Sequence, residues 1–221
     1  MIRILLVEDH PIAVGGIAAM LATAPDMDLV RVAGSLAGAR AFLAAPACDV
    51  VLLDLRLPDG SGIDLLRELA AQPDAPGVLV LSSFLTREYV SASIVLGAGG
   101  FLLKTASTEE ITAAIRTIAA GGLAFTAEQR RASRTASWEP LTQREHDLLA
   151  GLLAGRSNDE LAGDLGVARK TVEGMLSRLF ARYGVVTRTE LALAVDRGAV
   201  LDLPARPNPG PGAPLRSPRE S

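Results

Sequence analysis

The sequence predicts an α/β domain on a five-stranded parallel sheet, followed by a small all-α domain of four helices. Three observations carry that expectation. Short apolar runs alternate with amphipathic stretches up to a Gly-Gly pair at Gly121-Gly122; the pattern then lapses as far as Pro140; and the chain beyond carries repeated Ser/Thr-x-x-Glu signatures of helix starts.

The runs Ile2–Val7, Leu29–Ala33, Val50–Leu53, Val78–Leu81 and Phe101–Leu103 are too continuously apolar for half-exposed hairpin strands and read as buried parallel strands. Between and after them, Ile12–Leu21, Leu36–Ala44, Ile63–Ala71, Glu88–Leu96 and Thr108–Ala119 recur at helical spacing, the last behind a capping box of Ser107 and Glu110. Residues 1–122 form the first domain and 123–139, with Arg130, Arg131 and Arg134 among small polar residues, a linker. Residues 140–201 form the second, with capping boxes at Thr142/Glu145, Ser157/Glu160 and Thr187/Glu190. Residues 202–221 hold 6 of the chain's 13 prolines and read as a disordered or extended tail.

Composition excludes several classes. Hydrophobic residues are 49% and charged residues 21%, which suits a globular chain rather than a disordered one. A single cysteine, Cys48, closes no intrachain disulfide, and with two histidines there is no Cys/His zinc cluster. Glu8 and Asp9 interrupt the first apolar run, so it is no secretory signal, and no run approaches a membrane span. The expectation is a soluble protein of the reducing cytoplasm, with no membrane partner. Residues 1–124 carry 8 Lys/Arg against 13 Asp/Glu, a net of −5, whereas residues 125–221 carry 14 against 12, a net of +2. An acidic first part and a mildly basic second suggest different partners.

In a parallel α/β sheet, ligands sit at the carboxyl ends of the strands. There the sequence places Glu8, Asp9, Asp54, Ser82, Ser83 and Lys104. Singly, each is an ordinary turn, cap or surface residue; converging on one edge, they make a site. Close carboxylates repel one another unless a cation sits among them, and an oxygen-only ligand set suits Mg²⁺. Asp54 is positioned to accept a phosphoryl group as a carboxylate nucleophile needing no general base, with Lys104 and the Ser82 hydroxyl to meet the phosphate.

The motifs LLVEDHP (5–11), VVLLDLRLPDGSGIDLL (50–66), VLVLSS (78–83) and GGFLLKTAS (99–107) resemble the receiver domain of two-component response regulators. The resemblance implies a flavodoxin-like (βα)5 fold and phosphorylation of Asp54 by a sensor histidine kinase. It also implies Mg²⁺ held by Asp9, Asp54 and the backbone carbonyl of Arg56, with Glu8 acting through water. Ser82 and Phe101 become a switch pair that remodels the face of the fourth helix, fifth strand and fifth helix. Two departures are small: Ser82 stands where threonine is common, and Thr105 follows the lysine where many receivers have proline.

Residues 141–195 resemble the LuxR-type helix-turn-helix domain of NarL/FixJ regulators. Asn158–Leu165 reads as the scaffold helix, Gly166 as the tight turn and Ala168–Tyr183 as the recognition helix. Val172, Leu176, Leu179, Phe180 and Tyr183 share an inward face. Lys170, Glu173, Gly174 and Ser177 lie opposite with Thr171 beside them, facing the major groove of double-stranded DNA, while Arg169, Arg178 and Arg182 reach phosphates. Departures here are larger: Glu173 stands where the family commonly has lysine, Met175 where histidine is frequent, and Ala168 lacks the hydroxyl that caps the helix. Glu173 repels phosphate but accepts from a cytosine amino group, so base preference should differ from that of other members. A net of only +2 over this half predicts weak monomeric binding, remedied by a homodimer on paired half-sites.

The function expected is therefore a phosphorylation-gated transcription regulator rather than an enzyme, with RNA polymerase as a further partner at promoters. A regulator whose receiver serves only protein contacts, without phosphorylation, is the alternative. A dinucleotide-binding enzyme fails because Glu-Asp-His-Pro follows Val7 in place of a glycine-rich loop. His10 and His146 lie in different modules and form no hydrolase constellation.

Overall fold

The computed structural model describes residues 1–45, 48–83, 85–134, 141–183 and 185–196. The proline-rich tail expected at 202–221, and residues 135–139 of the expected linker, lie outside them.

Strands β1 (Ile2–Val7), β2 (Met27–Ala33), β3 (Val50–Asp54), β6 (Gly77–Ser82) and β7 (Gly100–Leu103) form one parallel sheet in the order β2-β1-β3-β6-β7. This doubly wound order reverses direction beside β1, so the loops after β1 and β3 open a crevice at the carboxyl edge. On one face lie α2 (Leu36–Leu43), α3 (Gly62–Ala70) and α4 (Arg87–Val95), over a core of Leu5, Val7, Val51, Leu53, Val80 and Phe101. On the other lie α1 (Pro11–Ala22) and α5 (Thr108–Ala119), over Ile4, Leu6, Leu52, Leu79, Leu81, Ile111 and Ile115. The strand side chains alternate between these two cores, which is why their sequences are apolar at every position.

Three elements depart from the sequence expectation. β2 is not fully buried: as an edge strand it exposes Asp28, Arg31 and Val32. A two-residue hairpin, β4 (Arg56–Leu57) with β5 (Gly60–Ser61), shapes the loop after Asp54. Most consequentially, the stretch read as an aperiodic linker contains helix α6 (Ala127–Arg134), packed against α4. Its start is fixed by Thr126 and Gln129, each of whose side chains accepts the other's backbone N–H. Just before it, Ala124 bridges to Gly100 and covers part of the exposed edge of β7.

The second domain has the expected four helices: α7 (Gln143–Leu153), α8 (Asn158–Leu165), α9 (Arg169–Tyr183) and α10 (Arg188–Asp196). Complete capping boxes start α5, α7 and α8, and Thr187 with Glu190 makes the same reciprocal bonds before α10. Gly166 ends α8 in the left-handed conformation (φ 63°, ψ 37°), which turns the chain sharply into α9. A single core of Leu148, Leu149, Leu161, Val172, Leu176, Leu179 and Leu191 holds the four helices together. Phe180 and Tyr183 pack at its margin, and Met175, not assigned to the inward face from sequence, is buried within it.

Candidate functional site

The carboxyl edge of the sheet gathers the acidic residues as the sequence expects. β1 delivers Glu8, whose backbone N–H donates to the Ala33 carbonyl at 2.9 Å, and β3 ends on Asp54. Across the edge, the Lys104 backbone N–H donates to the Ser82 carbonyl at 2.8 Å, so the lysine emerges beside both acids. Its Nζ lies 2.5 Å from Glu8 Oε2 and 2.8 Å from Asp54 Oδ2. These side chains are only 1%, 5% and 16% exposed for Glu8, Asp54 and Lys104, so the ammonium serves as the internal counter-ion of two desolvated carboxylates. Burial pushes the Asp54 carboxyl above its usual range; Lys104 opposes the shift and Glu8 adds to it. For Lys104, burial alone lowers the pKa, but Asp54 and Glu8 more than offset this and hold it above the ordinary lysine value.

His10 belongs to this pocket, contrary to the sequence reading that left it outside any constellation. Its backbone N–H donates to Glu8 Oε1 at 3.0 Å, and its Nδ1 lies 3.0 Å from the same oxygen. An acceptor-only carboxylate selects the Nδ1–H tautomer. That single hydrogen serves Glu8, so Asp9 Oδ1, although 2.9 Å from Nδ1, is buried without a hydrogen-bond donor. The signal in sequence was adjacency: His10 follows the acids and precedes Pro11, the first residue of α1.

The donor set fits a hard divalent cation. Oxygens of Glu8, Asp9 and Asp54, with His10, lie within 4.8 Å of one another, and among the described residues Asp9 Oδ1 is buried without a hydrogen-bond partner, a lack that a cation would offset electrostatically. Arg56 sits in the hairpin next to Asp54, to which its backbone also hydrogen-bonds. Gly62 fixes that loop's approach: a Cβ there would lie 2.9 Å from Leu55 Cα and closer still to the Asp54 carbonyl oxygen. After Lys104, Ala106 N–H donates to the Leu103 carbonyl at 2.9 Å, which defines the turn that Thr105 occupies.

Ser82 is buried at the end of β6, and Phe101 is fully buried among the residues of the α2/α3/α4 core. The Phe101 carbonyl accepts a hydrogen bond from Gln129 Nε2 at 3.1 Å, tying β7 to α6.

On α9, Arg169, Lys170, Thr171, Glu173, Ser177 and Arg178 are exposed and Gly174 is half-buried. Two of the arginines expected to reach phosphates have protein partners. Arg169 bridges Asp159 of α8 and Glu173, each at 3.0 Å. Arg182 is half-buried and pairs with Glu88 of α4 at 3.3 Å, across the two domains.

A phosphoacceptor-type acidic pocket on a doubly wound sheet, joined to a helix-turn-helix module, defines the class of phosphorylation-switched DNA-binding regulators. Residues 4–116 match the response regulator receiver domain and residues 139–195 the bacterial regulatory proteins of the luxR family. The chain belongs to the response-regulator family with a LuxR-type DNA-binding domain. It is 37% identical over 207 residues to the transcriptional regulatory protein MctR of Rhizobium johnstonii, covering 90% of this chain and 95% of that one. It is 34% identical over 202 residues to the DNA-binding transcriptional activator DevR/DosR of Mycobacterium tuberculosis, covering 87% and 93%. Among solved structures, RcsB from Salmonella enterica serovar Typhimurium, bound to promoter P1flhDC with the phosphomimetic BeF3⁻, shares the fold. The TM-score is 0.64 at 22% identity, over 89% of this chain and 98% of that one.

Proposed function

We propose that Asp54 accepts a phosphoryl group from the phosphohistidine of a sensor kinase and that this event controls DNA binding by α9. The observation that carries the reading is the meeting of Asp54, Glu8, Asp9 and Lys104 at one buried edge. A carboxylate oxygen of Asp54 attacks phosphorus in line; the P–N bond breaks and its electron pair returns to the kinase imidazole, leaving an acyl phosphate. Asp9, Asp54 and the Arg56 carbonyl, with Glu8 beside them, would hold Mg²⁺, which would supply positive charge to neutralise the phosphoryl oxygens. Lys104, already oriented by both acids, pairs with the phosphoryl group, and Ser82 donates its hydroxyl to it.

The Arg182–Glu88 pair and the Gln129–Phe101 hydrogen bond connect the receiver to the recognition helix and to α6. Phosphorylation shifts Ser82 and Phe101, loosens this docked arrangement and frees α9 for a dimer on paired half-sites. Lys170 and Arg178 then meet phosphates, with Thr171, Glu173, Gly174 and Ser177 toward the base edges. Such a role places the protein beside the chromosome, in the cytoplasm; among the described residues no helix is long and apolar enough to cross a membrane. Intact-mass analysis after incubation with acetyl phosphate and Mg²⁺ tests the proposal. One phosphoryl group on the wild type and none on Asp54→Asn is expected; equal labelling of both refutes the assignment.

A further inference from the structure

The exposed face of α9 carries an arrangement that phosphate binding does not explain. Arg169 would ordinarily be a phosphate anchor at the start of a recognition helix. Here its Nε donates to Glu173 Oε1 at 3.0 Å and its Nη1 to Asp159 Oδ2 at 3.0 Å, so one guanidinium is shared between two carboxylates. All three side chains are at least half exposed, and exposed pairs of this kind add little to stability. What the bridge does provide is orientation: Asp159, fixed in the first turn of α8, holds Arg169, which holds Glu173. The neighbouring Gly174 sits in the middle of a helix, where a Cβ would meet nothing within 4 Å. Packing against the described residues therefore gives no reason for glycine there, and its effect is to leave a notch that lets another molecule approach the helix closely.

We infer that Glu173 is a base-reading residue that selects cytosine in the major groove, and that Arg169 is its positioning residue rather than a phosphate anchor. This rests on the reading of α9 as the DNA-contacting helix. The chemistry singles out one base. A carboxylate only accepts hydrogen bonds. Guanine presents two acceptors in the major groove and thymine an acceptor beside a methyl group, so both are rejected. Adenine offers an amino group next to the N7 lone pair, which repels a carboxylate. Cytosine alone offers its N4 amino group with no acceptor beside it. Arg169 also offsets the repulsion between Glu173 and the DNA backbone, which an isolated carboxylate on this face would suffer.

The test is selection of bound sequences from random duplex DNA by the full-length protein, loaded with beryllofluoride and Mg²⁺. The wild type should enrich a motif with cytosine at one position of each half-site, at roughly 5-fold or more over other bases, the low end of the cost of a mismatched base pair because one hydrogen bond is involved. Glu173→Ala should become indifferent at that position alone. Glu173→Gln should move the preference to adenine, whose amino group and N7 match a carboxamide. Arg169→Ala should weaken the cytosine preference and Arg169→Lys should restore part of it, an outcome that a merely structural role for Arg169 does not produce. An unchanged cytosine-containing motif for Glu173→Ala, or a wild-type motif without a cytosine position, overturns the inference while leaving DNA binding by α9 intact. Failure of the wild type to select any sequence overturns both.

Discussion

Lys104→Met removes the ammonium between Glu8 and Asp54 while keeping an unbranched side chain of similar reach. In the folded protein the two carboxylates then face each other, 1% and 5% exposed, without the partner that lay 2.5 and 2.8 Å from them. Removing one member of a buried ion pair costs roughly 3–5 kcal/mol, and the partial exposure of Lys104 places this case near the lower end, about 3 kcal/mol. Urea unfolding should show the loss as a lower midpoint at constant slope for the receiver transition. Mg²⁺ at about a hundred times its dissociation constant should return about 2.7 kcal/mol, because a dication can take over the counter-ion role. Asp54→Asn should act in the opposite direction where Asp54 is ionised. A carboxyl whose folded pKa is raised stabilises the fold below its ordinary value and loses that contribution as pH rises through the folded value, so above that value ionised Asp54 opposes folding. The raised Lys104 pKa works the same way at the alkaline end: its contribution is complete below the ordinary value of 10.5 and is lost as pH climbs through the higher folded value. A Lys104→Met protein within about 0.5 kcal/mol of wild type would refute the counter-ion argument.

Three further outcomes follow from particular contacts. Glu88→Gln removes the charge that holds Arg182 and should raise DNA affinity of the unphosphorylated protein severalfold, by fluorescence anisotropy; unchanged affinity argues against docking of α9 on α4. Ala168→Ser supplies the absent side-chain cap of α9 and should stabilise the second domain by about 1 kcal/mol in thermal unfolding, with a null result indicating that the cap geometry differs. Gly166→Ala, at φ 63° with open space around it, should cost about 1 kcal/mol from backbone conformation alone. A cost above 3 kcal/mol would mean that the turn also excludes the methyl group.

The sheet and its site residues were legible because parallel strands buried on both faces leave unbroken apolar runs, and the residue after each run must lie at the ligand edge. The same rule misjudged β2, since a sequence does not reveal which strand is at the edge. The α6 helix escaped because its eight residues have no apolar stripe; among the described residues it is held by the Thr126/Gln129 cap, by packing on α4 and by the hydrogen bond from Gln129 to the Phe101 carbonyl. Only the Thr-x-x-Gln spacing announced it. His10 was overlooked for a different reason: its role depends on both of its nitrogen contacts converging on Glu8, and spacing does not show that. Asp159, one of the two partners of Arg169, and Glu88, the partner of Arg182, lie 10 and 94 residues away, so helical face assignments placed both arginines on α9 without showing these contacts; only the Arg169–Glu173 pair, four residues apart on one helix, was legible from spacing.

An acyl phosphate at Asp54 that turns on the DNA-reading helix should be visible in the affinity of full-length protein for its selected duplex, measured with and without beryllofluoride in the presence of Mg²⁺ for wild type and Asp54→Asn. Loading should tighten binding by the wild type and leave Asp54→Asn unchanged; equal affinities in all four arms would rule out the switch.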